Sequence, residues 1–334
     1  MGCVIAGFVV VDKVFRQKEA REVVIRDIFF SDRPADAFDV IAFGPSYVYC
    51  TVNPVQLYRD TGLRSCIPGT SIQPVEMTCH YVRMALEKYR PQLVVLGASM
   101  FVFHKTPPNY REGYAHMATD PFPLGMDKIK MLRDQHLGDS IEDYLFPFIK
   151  YHSRWKELGK RDFGFFRITP DPKTGMFLGY QLNNRVEPNH LTTVDFSKEP
   201  SAPIAEEYLA CLDKIVGMCR EKGVKLLLLN SLRANALADG RLATLHRYAR
   251  EHEIDFLDLN EVFDKTGISN KTDFHDTGHL NIRGAEKATR YLGRYIQEHY
   301  SLKVCQSPEV REQWDAFCRK YDEVKKSVLS QQKK

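Results

Sequence analysis

Four positions carry residue types that together could perform acyl transfer. They are Ser46 in Gly44-Pro45-Ser46-Tyr47, Gly69 in Pro68-Gly69-Thr70-Ser71, and Asp276 and His279 in the stretch DFHDTGHLN at 273–281. Serine is a poor nucleophile until a base removes its proton, and histidine is the usual base near neutral pH. Only two residues separate Asp276 from His279, so one tight turn can aim both side chains at the same point. The carboxylate would accept the imidazole Nδ1–H and fix the tautomer whose Nε2 faces Ser46. Gly69 has no side chain to obstruct close approach. Its N–H and that of Ser46 would stabilise a developing oxyanion, a donor of this kind being worth about 3–4 kcal/mol.

Each residue alone has a plainer meaning. A serine after a strand is more often a helix cap, and a glycine there usually reflects turn geometry. A metal site is the other chemistry available to Asp273, His275, Asp276 and His279, since carboxylate with imidazole suits Zn or Mn. Three or four ligands are needed, and His80, His104, His116 and His190 are too scattered along the chain to complete the set. No metal and no organic cofactor is therefore expected.

These positions have meaning together only if strands end beside them. Apolar runs at 38–44, 93–97, 224–230 and 254–259, with a weaker one at 63–67, predict strands buried on both faces, as in a parallel sheet. Helical periodicity at 74–89, 204–222, 241–252 and 284–299 alternates with them. Strand–helix alternation argues for an open α/β sandwich with right-handed crossovers. In such a sheet ligands bind outside the carboxyl ends of the strands, which is where Ser46, Gly69, Ser99 and the 273–281 stretch fall.

Residues 104–203 break the alternation. Rich in Pro, Gly, Tyr and Phe, they read as an insertion folded onto the carboxyl edge of the sheet, with helices at 126–135 and 140–151. Residues 308–334 have a polar helical pattern with a Lys-rich end and read as a solvated terminal helix. At 334 residues the length suggests roughly two domains; the insertion reduces this to one α/β domain over 36–300, with a lead-in at 1–35 and a tail at 301–334.

Composition excludes more than it identifies. The net charge of +4 is too small to argue for nucleic acid. Eight cysteines without a C-x-x-C pair make neither a disulfide scaffold nor a zinc ribbon. Residues 2–11 (GCVIAGFVVV) are apolar but too short to span a bilayer. They have no signal-peptide flanks, and Ala6 stands where a myristoylation signal wants Ser or Thr. On composition the run fits a buried first element.

With these residues in place, the sequence resembles the SGNH (GDSL-like) hydrolase superfamily of esterases and O-acyl transfer enzymes, over residues 36–298. The run FDVIAFGPS at 38–46 is similar to the family's first block, Pro68-Gly69-Thr70-Ser71 to its second, and Asp276-Thr277-Gly278-His279 before Gly284-Ala285 to its last. The resemblance implies a three-layer α/β/α sandwich with a mainly parallel, flavodoxin-like five-stranded sheet. It implies Ser46 as nucleophile, His279 as base, Asp276 as its orienter, and Gly69 with Ser46 as oxyanion donors. It is closest to a bacterial branch whose short N-terminal anchor precedes an extracytoplasmic domain. On that comparison residues 2–11 are the end of a truncated membrane anchor, a cytoplasmic protein being the alternative.

Three positions depart from the pattern. Position 45 is Pro where Asp or Ser is common, position 47 is Tyr where this branch often has His, and Gly97-Ala98-Ser99-Met100 replaces Gly-x-Asn-Asp. Ser99 or Gln73 would have to supply the third oxyanion donor, whose loss costs about 10²-fold in rate. The expected activity is hydrolysis or transfer of an O-acyl ester, on an acetylated carbohydrate or small ester. The same departures suit a non-catalytic carbohydrate-binding or scaffold protein on this fold, with Tyr110, Tyr114, Phe163, Phe165, Phe166 and Tyr180 as sugar-stacking faces.

Overall fold

The computed structural model describes residues 7, 10, 11, 14, 15, 20–103, 112–134, 141–163, 176–233 and 240–330. Five strands, β1 (Val40–Phe43), β2 (Ser65–Cys66), β3 (Leu93–Gly97), β4 (Lys225–Asn230) and β5 (Asp255–Asp258), form one sheet in the order β2-β1-β3-β4-β5. Every pairing is parallel, with Ile41 opposite both Cys66 and Val94, Val95 opposite Leu227, and Leu229 opposite Leu257. This is the flavodoxin-like order, and the strand sequence reverses at β1 and β3.

Strand side chains alternate between two apolar layers, which is why the runs read as continuously hydrophobic. Val40, Ala42, Leu93, Val95, Leu227 and Leu229 pack with α2 (Pro54–Thr61), α6 (Ile282–His299) and α7 (Pro308–Ser330). Ile41, Phe43, Val94, Leu96 and Leu228 pack with α1 (Ala20–Phe30), α3 (Val75–Lys88), α4 (Glu206–Glu221) and α5 (Arg241–Glu251). The α/β/α sandwich expected from the sequence is the fold observed.

Local differences have identifiable causes. The strand expected at 63–67 shortens to Ser65–Cys66 because the Ile67 N–H donates to Leu178, in the turn of a hairpin formed by Met176–Phe177 and Tyr180–Gln181. The helix expected at 126–135 is Met126–Arg133. The one expected at 140–151 is two short helices, Ile141–Leu145 and Pro147–Tyr151. Pro147 has no N–H to continue the first of these, and it holds Phe146 out of helical backbone at φ −127°. Side chains of the insertion enter both layers, Phe122, Met131 and Phe196 on one face and Phe177, Tyr180 and Leu182 on the other. Tyr180 is thus a core residue and cannot stack on a sugar. Tyr110, Phe165 and Phe166 lie outside the described residues, as do most of residues 2–11. Among the described residues no helix is long and apolar enough to cross a membrane.

The reading of α7 as a solvated helix is corrected. Cys318, Tyr321 and Val324 are buried against the α2/α6 layer. The Tyr321 hydroxyl accepts from Asn53 Nδ2 at 2.9 Å and donates to Glu286 Oε1 at 2.9 Å. Asn53 is also the N-cap of α2, its Oδ1 accepting from the Val55 and Gln56 N–H groups. The seam is every third residue from 318 to 324, three of the helix's 23 residues, too narrow to show against an otherwise polar helix. Tyr321→Phe removes both hydrogen bonds and is expected to cost about 1–2 kcal/mol. Urea unfolding should show this as a lower midpoint with an unchanged slope.

Candidate active site

Ser46 opens a single helical turn, Ser46–Tyr49, directly beyond β1. As the first residue of that turn its N–H has no intrahelical acceptor, and the preceding Pro45 has no N–H to compete for an anion. The site's other half is the connection into α6. An antiparallel bridge joins Phe274 and Leu280, both buried, and the His275 N–H donates to the His279 carbonyl at 2.8 Å. Asn281 caps α6 through the Arg283 and Gly284 N–H groups, and its Nδ2 donates to the Thr272 and Phe274 carbonyls. Gly284 is required at the helix start, because a Cβ there would stand 2.2 Å from the Asp273 carbonyl oxygen.

Within this pinned loop Asp276 Oδ1 accepts from the Gly278 N–H at 2.7 Å and the His279 N–H at 2.8 Å, an Asx turn. The same carboxylate lies 2.9 and 3.0 Å from His279 Nδ1, and His279 Nε2 lies 2.7 Å from Ser46 Oγ. Hydrogen bonding of Nδ1 to the carboxylate leaves Nε2 as the acceptor for the serine proton. Ser46, His279 and Asp276 thus form one continuous hydrogen-bonded line from β1 to α6.

Compared with known proteins, the chain matches no family model and no curated sequence.

Around this line the structure places the remaining candidates. Tyr47 lies flat against His279, ring centroids 5.2 Å apart at 11°, and the Arg233 guanidinium lies 4.4 Å from the same phenol ring. The Ser231 hydroxyl donates to the Tyr47 carbonyl at 2.9 Å. Tyr47 therefore walls in the imidazole, which limits its rotation away from Ser46. Gly69 packs directly on the β1 loop, and a Cβ there would stand 2.3 Å from the Gly44 carbonyl oxygen. Its N–H, however, donates to the Ile67 carbonyl at 2.9 Å in a three-residue turn about Pro68. Gly69, expected from the sequence as an oxyanion donor, would turn its N–H toward an anion only by leaving this turn. Arg21, which nothing in its sequence context marks, donates to the Gly69 carbonyl at 2.9 Å and holds that turn from the far side.

Ser99 and Gln73 line the same cleft as Ser46, Tyr47 and His279. Gln73 Oε1 accepts from the Thr70 N–H, and its Nε2 donates to Thr78 Oγ1. The amide retains one further N–H. Pro45, Ile72, Pro74, Val75, Met100 and Tyr208 give the cleft apolar walls around about 140 Å³. That is close to the ~150 Å³ that takes up one benzene-sized group.

The residues considered for a metal do not converge on one point. Asp273 is engaged by Lys287 Nζ at 2.6 Å, the Ser269 N–H and Thr272 Oγ1, while Asp276 and His279 bond each other.

Burial pushes the Asp276 carboxyl up, but the Gly278 N–H and His279, with the charge of His275, together hold it below the ordinary carboxylate value. A depressed folded-state value means that the stabilisation from this carboxylate is complete above the unfolded value, about 3.9. It is lost as pH falls through the lower folded value. A carboxyl-carbon titration by NMR should therefore place Asp276 below an ordinary aspartate, and Asp276→Asn should cost less stability at pH 2 than at pH 6.

Proposed function

We propose that the chain is a serine-dependent O-acyl ester hydrolase or O-acyltransferase of SGNH type, acting on an acetylated carbohydrate or a small ester. The observation that carries this is the 2.7 Å contact between Ser46 Oγ and His279 Nε2, with Asp276 on the opposite ring nitrogen. Ser46 attacks the acyl carbonyl while His279 takes its proton. The Ser46 N–H faces the oxygen on which charge develops. As the tetrahedral intermediate collapses, His279 returns the proton to the departing alkoxide and an acyl-serine remains. Water or an acceptor hydroxyl then loses its proton to His279 and attacks the acyl carbon, and His279 passes that proton to the departing Ser46 oxygen as the acyl bond breaks. The cleft volume favours a short acyl group.

Labelling with a fluorophosphonate probe tests this directly. The wild type is expected to label stoichiometrically and Ser46→Ala not at all. A non-catalytic scaffold is favoured by one observation, the engagement of the Gly69 N–H by Ile67. Folded wild-type protein that neither labels nor cleaves aryl acetates would establish that reading instead. Membrane attachment through the N-terminus belongs to the same proposal. It predicts full-length protein released from membranes by detergent and not by salt.

A further inference from the structure

A second cluster of chemically competent groups lies beyond the carboxyl end of β5, apart from Ser46. His246 on α5, Asp258 at the end of β5 and Glu261 in the following turn each offer one ligand atom, all within 4.8 Å of one another. His246 Nε2 stands 3.6 Å from Asp258 Oδ2 and 3.3 Å from Glu261 Oε1. Ligands held at 2.0–2.1 Å around a tetrahedral ion stand about 3.4 Å from one another, and the two separations bracket that value.

Asp258 is hydrogen-bonded at both oxygens and Glu261 hydrogen-bonds Asp195, but two atoms of the cluster are left over. His246 is only 7% exposed, yet its Nε2 has no hydrogen-bond partner, and neither does Glu261 Oε1. The two face each other at hydrogen-bonding distance but off the line of the ring N–H. Asp258 is oriented from behind, its Oδ1 accepting from the backbone and side-chain N–H groups of Asn260 and its Oδ2 from Asn230 Nδ2. Such outer hydrogen bonds characterise carboxylates that ligate metals. The His246 ring is fixed by stacking on Phe256, centroids 3.9 Å apart. Burial drives the Glu261 carboxyl up to about 7, with Asp258 and Asp195 adding to the rise against His246.

We propose that His246 Nε2, Asp258 Oδ2 and Glu261 Oε1 bind a divalent transition-metal ion, Zn²⁺ or Mn²⁺, with water completing the coordination. One imidazole and two carboxylates match these ions, and the Glu261 side chain, 29% exposed, places the cluster near the surface. The ion would tie α5 to the end of β5. It would also brace the active site, since Asn260 Nδ2 donates to the Ser231 carbonyl and Ser231 Oγ donates to the Tyr47 carbonyl. The inference stands independently of the ester-hydrolase reading.

The test is metal content and affinity of the full chain after chelator treatment and reloading with ZnCl₂ or MnCl₂. One equivalent is expected in wild type, with a melting temperature that rises with metal concentration. Glu261→Gln preserves shape and should weaken binding at least 10-fold, as should His246→Gln. Because His279 and Asp276 could capture zinc adventitiously, His279→Gln must retain the equivalent. Absence of a stoichiometric ion from wild type, retention by both Glu261→Gln and His246→Gln, or loss in His279→Gln would overturn the assignment.

Discussion

Ser46→Ala is expected to lower kcat for a short-chain ester by about 10⁵–10⁶-fold, and the double variant Ser46→Ala/His279→Ala to lower it no further. In the proposed mechanism the two side chains share one proton along a 2.7 Å contact, so removing either leaves the other without a task. What remains is catalysis by binding in the cleft and by the Ser46 N–H, which alanine retains. Steady-state kinetics on aryl acetates, with melting temperatures to show that the variants fold, measure this. Losses that multiply would mean that Ser46 and His279 act in separate steps, and the proposed proton transfer would have to be abandoned.

Asp276→Asn is expected to cost about 10⁴-fold in kcat with little change in affinity for substrate. The two backbone N–H groups of Gly278 and His279 require an acceptor at Oδ1. They therefore hold the asparagine carbonyl there and place its NH₂ at the Oδ2 position, 3.0 Å from His279 Nδ1. The carboxylate charge that favours Nδ1–H is lost and an amide donor now competes with the carbonyl at Nδ1, so the tautomer with its proton on Nε2 is expected to dominate. His279 would then donate to Ser46 Oγ instead of accepting its proton. The expected signature is a folded protein with slow fluorophosphonate labelling and recovered rate at high pH, where hydroxide can do the work of the base. An undiminished kcat would show that the carboxylate does not set the tautomer.

That Ser46, Asp276 and His279 meet was legible in the sequence because the placement of each depends on short-range features. These are a strand running into Gly-x-Ser, and a carboxylate three residues before an imidazole. The sheet was legible for a similar reason, its strands being apolar on both faces. Features that depend on distant partners were not. Arg21 reaches Gly69 across 48 residues, and the Gly69 turn is closed by its own Ile67 carbonyl, so its N–H read as free. Tyr47 counted as a departure from a motif, whereas its ring packs on the His279 imidazole. Helix α2 did carry local signals, an Asn cap at 53 and a proline at the first helical position. The short apolar stretch around it hid them. His246 and Glu261 are separated by β5, and no spacing rule joins residues on a helix to those beyond the following strand.

The line from Ser46 to His279 spans 233 residues of chain. One end follows the first strand and the other precedes α6, a helix that comes after the last strand, so the two meet only in a chain that contains all five strands. Under the proposed mechanism the serine emerges early in synthesis and stays inert, because its base has not yet been made. A chain cut between the last strand, which ends at Asp258, and residue 279 would carry the serine and the whole sheet but not the proposed base. By that mechanism the topology would act as a completeness check, because reactivity would need residues that follow the sheet.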